Sequence, residues 1–435
     1  MIYTADKETV LTFSALPPFY LPFFNRWGAN AYYKYEPFSL DPFTLPAIST
    51  SGSPVILAGG KFFGFLKDTD GVFSYDGKCT LSVTVPAGQS LYYDESCDPF
   101  SAWEEYNRIV LSDREKPEPQ PFWSGLEYCT WVDQKNLAAR CGEPDVHKPL
   151  TEDYVYDYMK RVDRMKLPHG KLTIDDGWDI RDTPGCPHCY GNWEIDREKF
   201  PRMERLVRDM TAEGFCPGLW FAPFTVTSNS RFGSAHPELI GGPFPAGGAE
   251  LEESQRLMYL LPSPVLERYY TDLYETYISM GFRKFKLDMS YGPKQDMKAL
   301  LRMMYGIIKK IDPSVEVEAH IPDIFVSRYA DTVRINDVSF DDAGLWRGVS
   351  MEHYRVCRYS AGGKILNLDH IGTNTPEPSE KDFFAHAELL LSLEGGYPCV
   401  SLLPDVFGEN AAQRFSEMVN GWTARHSAPT EENSR

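Results

Sequence analysis

Eight short apolar runs, separated by charged and helix-patterned sequence, occupy the chain from Ser124 onward and constrain its fold more than any other feature. They are SGLEYCTW (from Ser124), GKLTIDDGW (from Gly170), CPGLWFAPF (from Cys216), RKFKLDMSY (from Arg283), VEVEAHI (from Val315), TVRINDV (from Thr332), KILNLDHI (from Lys364) and YPCVSLLP (from Tyr397). Most intervals between them carry a period near 3.6, as in Met203, Leu206, Val207 and Met210, or Leu300, Met304, Ile307 and Ile311. The interval between the fifth and sixth runs is too short for a full helix. Strands alternating with helices in this way predict an α/β fold, a (β/α)8 TIM barrel whose active site lies where the strands end. An open doubly wound sheet is the rival, and no glycine-rich dinucleotide fingerprint supports it.

Ahead of the barrel, Ser51 to Asp94 reads as short β runs with turn signals at Asp70-Gly71 and Asp76-Gly77, then the alternating KCTLSVTV. Cys79, Leu81, Val83 and Val85 are expected on one face. The segment SDREKPEPQP, with three prolines, resists helix and strand alike. These observations predict a small N-terminal antiparallel β domain over residues 1–111, a linker over 112–121, the barrel over 122–427 and a polar tail over 428–435. The 435 residues are 42% hydrophobic, enough for a large core. A net charge of −18 leaves nothing to neutralise a row of phosphates, so nucleic acid is not an expected partner. The first residues lack a basic start followed by an apolar run, and no stretch is long enough to cross a bilayer. We therefore expect no membrane partner and a cytoplasmic protein. Nine cysteines, an odd number spread over a long chain, fit a reducing compartment better than a disulfide framework.

Several runs end in charge: Asp175-Asp176, Lys286 and Asp288, Glu318 and His320, Arg334 and Asp337, Asp369 and His370. Residues i and i+2 of a strand face the same way, so Lys286 and Asp288 should enter one interior, where unpaired charge is costly. One such carboxylate is ordinarily a capping or salt-bridged group. Convergence from five strands predicts a site instead. A mouth rich in aspartate and tryptophan, without a phosphate loop, suits glycoside hydrolysis, which needs one carboxylate at the anomeric carbon and one carboxyl that donates to the leaving oxygen. Lysine beside Asp288 favours its charged form, as a nucleophile requires. Asp337 is the candidate acid, although Arg334 pulls against that role. Trp178, Trp193 and Trp220 could offer flat faces to a sugar ring, core packing being the equal alternative. Glu318 and Asp369 complete the expected lining.

The motifs IDDGWD (Ile174 to Asp179), GNWEIDREKFP (Gly191 to Pro201), GLWFAP (Gly218 to Pro223), AHPELI (Ala235 to Ile240), KLDM (Lys286 to Met289) and RIND (Arg334 to Asp337) fall in order. Together they resemble the α-galactosidases of glycoside hydrolase family 36 and the clan formed with families 27 and 31, over roughly Phe122 to Pro404. The resemblance implies a retaining, exo-acting α-galactosidase with Asp288 as nucleophile and Asp337 as acid/base. It also implies that Asp175 and Asp176 bind the 4- and 6-hydroxyls of the sugar and that Lys286 and Arg334 contact ring hydroxyls. Two adjacent aspartates can both reach the sugar only if the chain turns at Gly177. The expected partner is a carbohydrate substrate, an α-galactoside; no cofactor or metal is expected, and a homo-oligomer is compatible with the sequence.

This chain departs from the family in places. Ala222, Pro223 and Phe224 stand where a Glu-Pro-Glu usually follows GLWF, Leu287 and Ser290 flank Asp288 where tryptophan and asparagine are usual, and EAHIPD (Glu318 to Asp323) replaces a glycine-rich turn. The shell around the sugar's 2- and 3-positions is therefore altered. α-N-acetylgalactosaminidase, another α-glycosidase and a transglycosidase stay open within one mechanism. Two readings come from other classes: a Mg²⁺-dependent barrel enzyme using Asp288, Glu318 and Asp337 on consecutive strands, and a non-catalytic sugar-binding protein. GCPHCYG (Gly185 to Gly191) contains a CxxC around a histidine, read as a structural loop with a metal clip or redox pair as alternatives.

Overall fold

The computed structural model describes residues 1–15, 19–20, 31–32, 48–95, 98–112, 119–181, 189–243, 257–290, 292–321, 323–335, 337–341 and 343–426. All eight runs are strands of one closed parallel barrel: β1 (Glu127–Cys129), β2 (Lys171–Ile174), β3 (Cys216–Phe221), β4 (Lys284–Leu287), β5 (Glu316–Ala319), β6 (Thr332–Arg334), β7 (Ile365–His370) and β8 (Gly396–Val400). The ring closes where Glu127 of β1 pairs with Cys399 of β8. Neighbouring strands are in simple register except β7 and β8, whose pairing shifts between Asn367 and His370; Lys284 stands opposite Gly218 on one side and Glu316 on the other.

Local sequence explains the elements. In β4 the apolar Phe285 and Leu287 alternate with Lys284 and Lys286, and all four are buried. The lysines therefore face inward and meet the carboxylates of other strands. The helix Pro264–Met280 begins with Ser263 accepting from the Leu266 amide and proline at its first position, and it ends at Gly281 with φ 119°. Its buried stripe is Leu266, Tyr270, Leu273, Tyr274, Tyr277 and Ile278. The predicted helical faces are buried at Met203, Leu206, Val207 and Met210 in Met203–Ala212, and at Leu300, Met304 and Ile307 in Lys294–Ile311. Among the described residues between β5 and β6 there is only a 3-10 turn, Ser327–Tyr329, as the short interval requires.

The N-terminal region packs a five-stranded sheet against a four-stranded one, both antiparallel, around Phe63, Phe65, Phe73, Leu81, Val83 and Val85. Two details correct the sequence reading. Cys79 is exposed rather than on the buried face, because it precedes the strand Thr80–Val85 within the Asp76-Gly77 turn. There the Asp76 carboxylate accepts the amides of Lys78, Cys79 and Thr80. Asp70-Gly71 joins strands of different sheets and makes no hairpin. A helix, Pro99–Leu111, follows the sheets and lays Trp103 and Tyr106 between them and the barrel, in a cluster with Phe62, Ile324, Phe325 and Val356. Residues 428–435 and most of the 112–121 segment lie outside the described residues.

Candidate active site

Two tiers of charge fill the barrel. In one, the Lys284 ammonium bridges Glu127 and Glu318, with Glu318 Oε2 at 2.6 Å and the Tyr397 hydroxyl at 3.4 Å. Asn367 donates to both glutamates, at 3.0 and 2.9 Å, and Thr173 donates to Glu127 at 2.6 Å. Lys171 sits against the Tyr397 ring and 3.3 Å from Glu316. Every member is fully or almost fully buried. Glu318, expected to line the sugar site, is bonded within this internal ion network. Burial works against its charge, but Lys284 and then Lys286 hold its carboxyl well below the usual range. The Mg²⁺ reading loses its middle ligand for the same reason.

The other tier is centred on Arg334, at the end of β6. Its Nη2 donates to Asp288 Oδ2 at 2.9 Å, and its Nη1 donates to Asp337 Oδ1 at 2.6 Å and to Asp369 Oδ1 at 2.9 Å. Burial disfavours the guanidinium charge, yet Asp337, Asp288 and Asp369 raise its pKa well above the usual value. Asp288 also touches the Trp220 indole N–H at 3.3 Å and His320 Nδ1 at 3.3 Å. The cation next to Asp288 is thus Arg334. Lys286 instead pairs with Asp175 Oδ2 at 2.8 Å, and this partner outweighs burial to keep the ammonium pKa high.

Asp337 is the most open of these groups, its side chain 42% exposed. Surrounding protein disfavours its charge, but Arg334, His370 and His320 together hold its carboxyl below the usual range. Asp369 behaves oppositely: burial, then the neighbouring Asp337, push it up to about 7. It also takes a left-handed backbone, φ 65°, unusual for a non-glycine residue. The imidazoles of His320 and His370 are driven well below their ordinary pKa, first by burial and then by Arg334 and Lys286 respectively.

The chain turns at Gly177, φ 113°, where a Cβ would meet His147. The turn sends the two aspartates to different partners. Asp175 accepts from Lys286 and from Cys129 Sγ at 3.0 Å. Asp176 meets Arg181, His147 Nε2 at 3.1 Å and the Tyr190 hydroxyl at 3.0 Å. Among the tryptophans, Trp220 reaches the site. Trp178 and Trp193 do not: both are almost completely buried, stacked on each other and packed on Phe221 and Tyr277, with the Trp178 indole donating to the Trp220 carbonyl. They form the wall behind Trp220 rather than a sugar platform.

His320 and Cys129 stand in the site without having been singled out as lining. The first was legible as the residue two beyond Glu318. The second becomes visible only when the barrel closes and sets β1 beside β8. Cys186 and His188 of the CxxC loop lie outside the described residues; Cys189 is buried.

The chain is thus an eight-stranded parallel barrel whose strand ends gather carboxylates around one guanidinium. A family model, Melibiase, matches residues 151–259, the stretch that contains IDDGWD, GLWFAP and AHPELI. Among solved structures, the α-galactosidase from Thermus thermophilus in complex with stachyose superposes with a TM-score of 0.66 at 17% identity, covering 96% of both chains. The α-galactosidase from Lactobacillus brevis gives 0.58 at 14% identity, over 98% of this chain and 60% of the other. The family 36 α-galactosidase from Geobacillus stearothermophilus in complex with raffinose gives 0.57 at 13%, over 97% and 62%. The chain therefore spans nearly the whole of the Thermus protein but about three fifths of the longer ones.

Proposed function

We propose that the protein is a retaining, exo-acting α-glycosidase that hydrolyses terminal α-galactosides, with Asp288 as nucleophile and Asp337 as acid/base. The observation that carries the reading is Arg334, whose two terminal nitrogens hold Asp288 and Asp337 at 2.9 and 2.6 Å. One guanidinium spanning both carboxylates keeps them on the scale glycosidases use, about 5–5.5 Å for retention and roughly 6.5–9.5 Å for inversion. Asp288 attacks the anomeric carbon while the Trp220 indole and Arg334 orient its second oxygen. Asp337, near solvent, is placed to exchange protons with the leaving oxygen and then with water. In the resting site it is paired to Arg334, so it serves as acid once substrate draws that guanidinium toward Asp288 and Asp369. Lys286, Asp175 and Asp176 are assigned to sugar hydroxyls. The Thermus and Geobacillus structures, in complex with stachyose and raffinose, support galactosides as the class to test.

Among the described residues no helix is long and apolar enough to cross a membrane; a cytoplasmic location is part of the proposal and rests on the sparse, odd cysteine count. The test is turnover of nitrophenyl α-galactoside by wild type and Asp288→Asn, with the anomer of the first product followed by NMR. Loss of turnover in a folded Asp288→Asn protein and release of the α-anomer are expected. Wild-type turnover by the variant would defeat the nucleophile assignment, and β-anomer release would replace retention by inversion.

A further inference from the structure

We propose that Cys129, Cys399 and His370 form a binding site for a thiolate-preferring divalent metal ion of the Zn²⁺ class, at the seam where β7, β8 and β1 close the barrel. The sequence led us to expect no metal, and neither the glycosidase chemistry nor the sugar contacts proposed above use these three side chains. All three are buried, and their donor atoms lie within 4.8 Å of one another. Cys399 Sγ and His370 Nδ1 are 3.7 Å apart. Tetrahedral zinc, with bonds of about 2.3 Å to sulfur and 2.0–2.1 Å to nitrogen, sets neighbouring sulfur and nitrogen donors roughly 3.5 Å apart. The cluster is already near ligand spacing.

The backbone at the cluster departs from regular pairing. The pairing of β7 with β8 slips between Asn367 and His370, and Asp369 adopts φ 65° within that bulge. Plain alternation would put Asn367 and Asp369 inside and His370 outside. The bulge turns His370 inward as well, beside its register partner Cys399. Such a conformation costs on the order of 1–3 kcal/mol and persists where function needs it. The sugar reading, which uses Asp369 alone, does not account for it.

The surroundings fit a metal. His370 Nε2 lies 3.6 Å from Asp369 Oδ1, so a histidine ligating through Nδ1 would turn its other nitrogen to a carboxylate, the arrangement that orients metal-bound imidazoles. The fourth position can be taken by water, which leaves Asp175, 3.0 Å from Cys129 Sγ, to the sugar. The Lys286 ammonium at 3.8 Å from the same sulfur would donate to a thiolate. A disulfide is the poorer use of the pair. Cys399 is opposite Glu127, two residues short of Cys129. Strand spacing then puts the two Cα atoms about 8 Å apart, beyond the roughly 7 Å that a disulfide spans.

The test is titration of the chelator-stripped full chain with Co²⁺ and then Zn²⁺. We expect one equivalent bound, a near-ultraviolet thiolate-to-cobalt charge-transfer band with the strong visible bands of a tetrahedral ion, and displacement of both by Zn²⁺. Cys399→Ala and Cys129→Ser should each abolish the band, and Asp369→Ala should weaken binding roughly 10–100-fold. The double variant Cys186→Ser/Cys189→Ser should bind like wild type. Absence of a thiolate band in the wild-type protein would overturn the proposal without recourse to any variant. So would a band that survives Cys399→Ala and is lost in the 186/189 double variant. None of these readouts depends on turnover, so the metal site and the glycosidase reading fail or stand separately.

Discussion

Replacing Lys284 by methionine removes the one cation, among the described residues, bonded to both Glu127 and Glu318 in the barrel interior. Glu318 would keep Asn367 and the Tyr397 hydroxyl, and Glu127 would keep Asn367 and Thr173, but these are neutral partners. Breaking a buried ion pair from one side costs about 3–5 kcal/mol, because a desolvated charge is left behind. Complete burial of Lys284 and Glu318 puts the expected loss at the upper part of that range. The pH dependence should reverse as well. In wild type the depressed Glu318 pKa contributes stability above the unfolded value of about 4.3, and this is lost as pH falls through the folded value. Without Lys284 the largest opposing cation is gone, leaving Lys286 and neutral donors against burial, and the folded carboxyl is expected to bind a proton before the unfolded one does. Stability of the variant should then rise as pH is lowered from 8 to 5, and adding Glu318→Gln should recover part of the loss. Urea midpoints at the two pH values measure both effects. A Lys284→Met protein within about 1 kcal/mol of wild type, with an unchanged pH slope, would refute the assignment of Glu318 to a structural network.

Three further outcomes are expected. Asp337→Ala should lower kcat/KM by roughly 10²–10⁴ on galactosides with poor leaving groups and far less on an activated nitrophenyl substrate; equal losses on both would remove it as the acid. Trp220→Phe deletes the indole donor to Asp288 and should cost about 1.5–3 kcal/mol of transition-state stabilisation, read as kcat/KM. Burial, then Arg347, depresses the His386 pKa to about 3, so the unfolded chain binds the proton first as pH falls below about 6.5. Between pH 8 and 5 this removes about 2 kcal/mol of stability, which His386→Gln should not lose.

Much of this was legible because a barrel strand is short, apolar and bounded, so each of the eight runs announced itself and the missing helix after β5 was visible as missing length. Convergence of charge at strand ends was legible for the same reason. Which charges pair was not. Lys286 and Asp288 share a strand face in sequence, yet Lys286 pairs with Asp175 and Asp288 with Arg334, because partners are set by the curvature of the ring rather than by spacing along one strand. Glu318 looked like a strand-end carboxylate, but inward residues occupy successive depths and its depth is that of Lys284. Trp178 and Trp193 carry no sequence mark that separates a sugar platform from the wall behind one. The bulge at Asp369 has no composition signal either, since no glycine stands there to advertise a positive φ.

The proline-rich stretch between the sheets and the barrel looks like a place to cut, but Trp103, Tyr106, Phe62 and Val55 are packed against Ile324, Phe325 and Val356 of the barrel. Lys294, whose helix follows β4, reaches back to the Gly52 carbonyl at 2.9 Å, and residues 31–32 pair with Gly292–Pro293, just beyond Asp288. A protease that nicks the connecting segment should therefore release nothing under native conditions: the two fragments should co-elute and melt together. Grafting this barrel under a different N-terminal module would require redesign of the sheet's partner surface as well as the join.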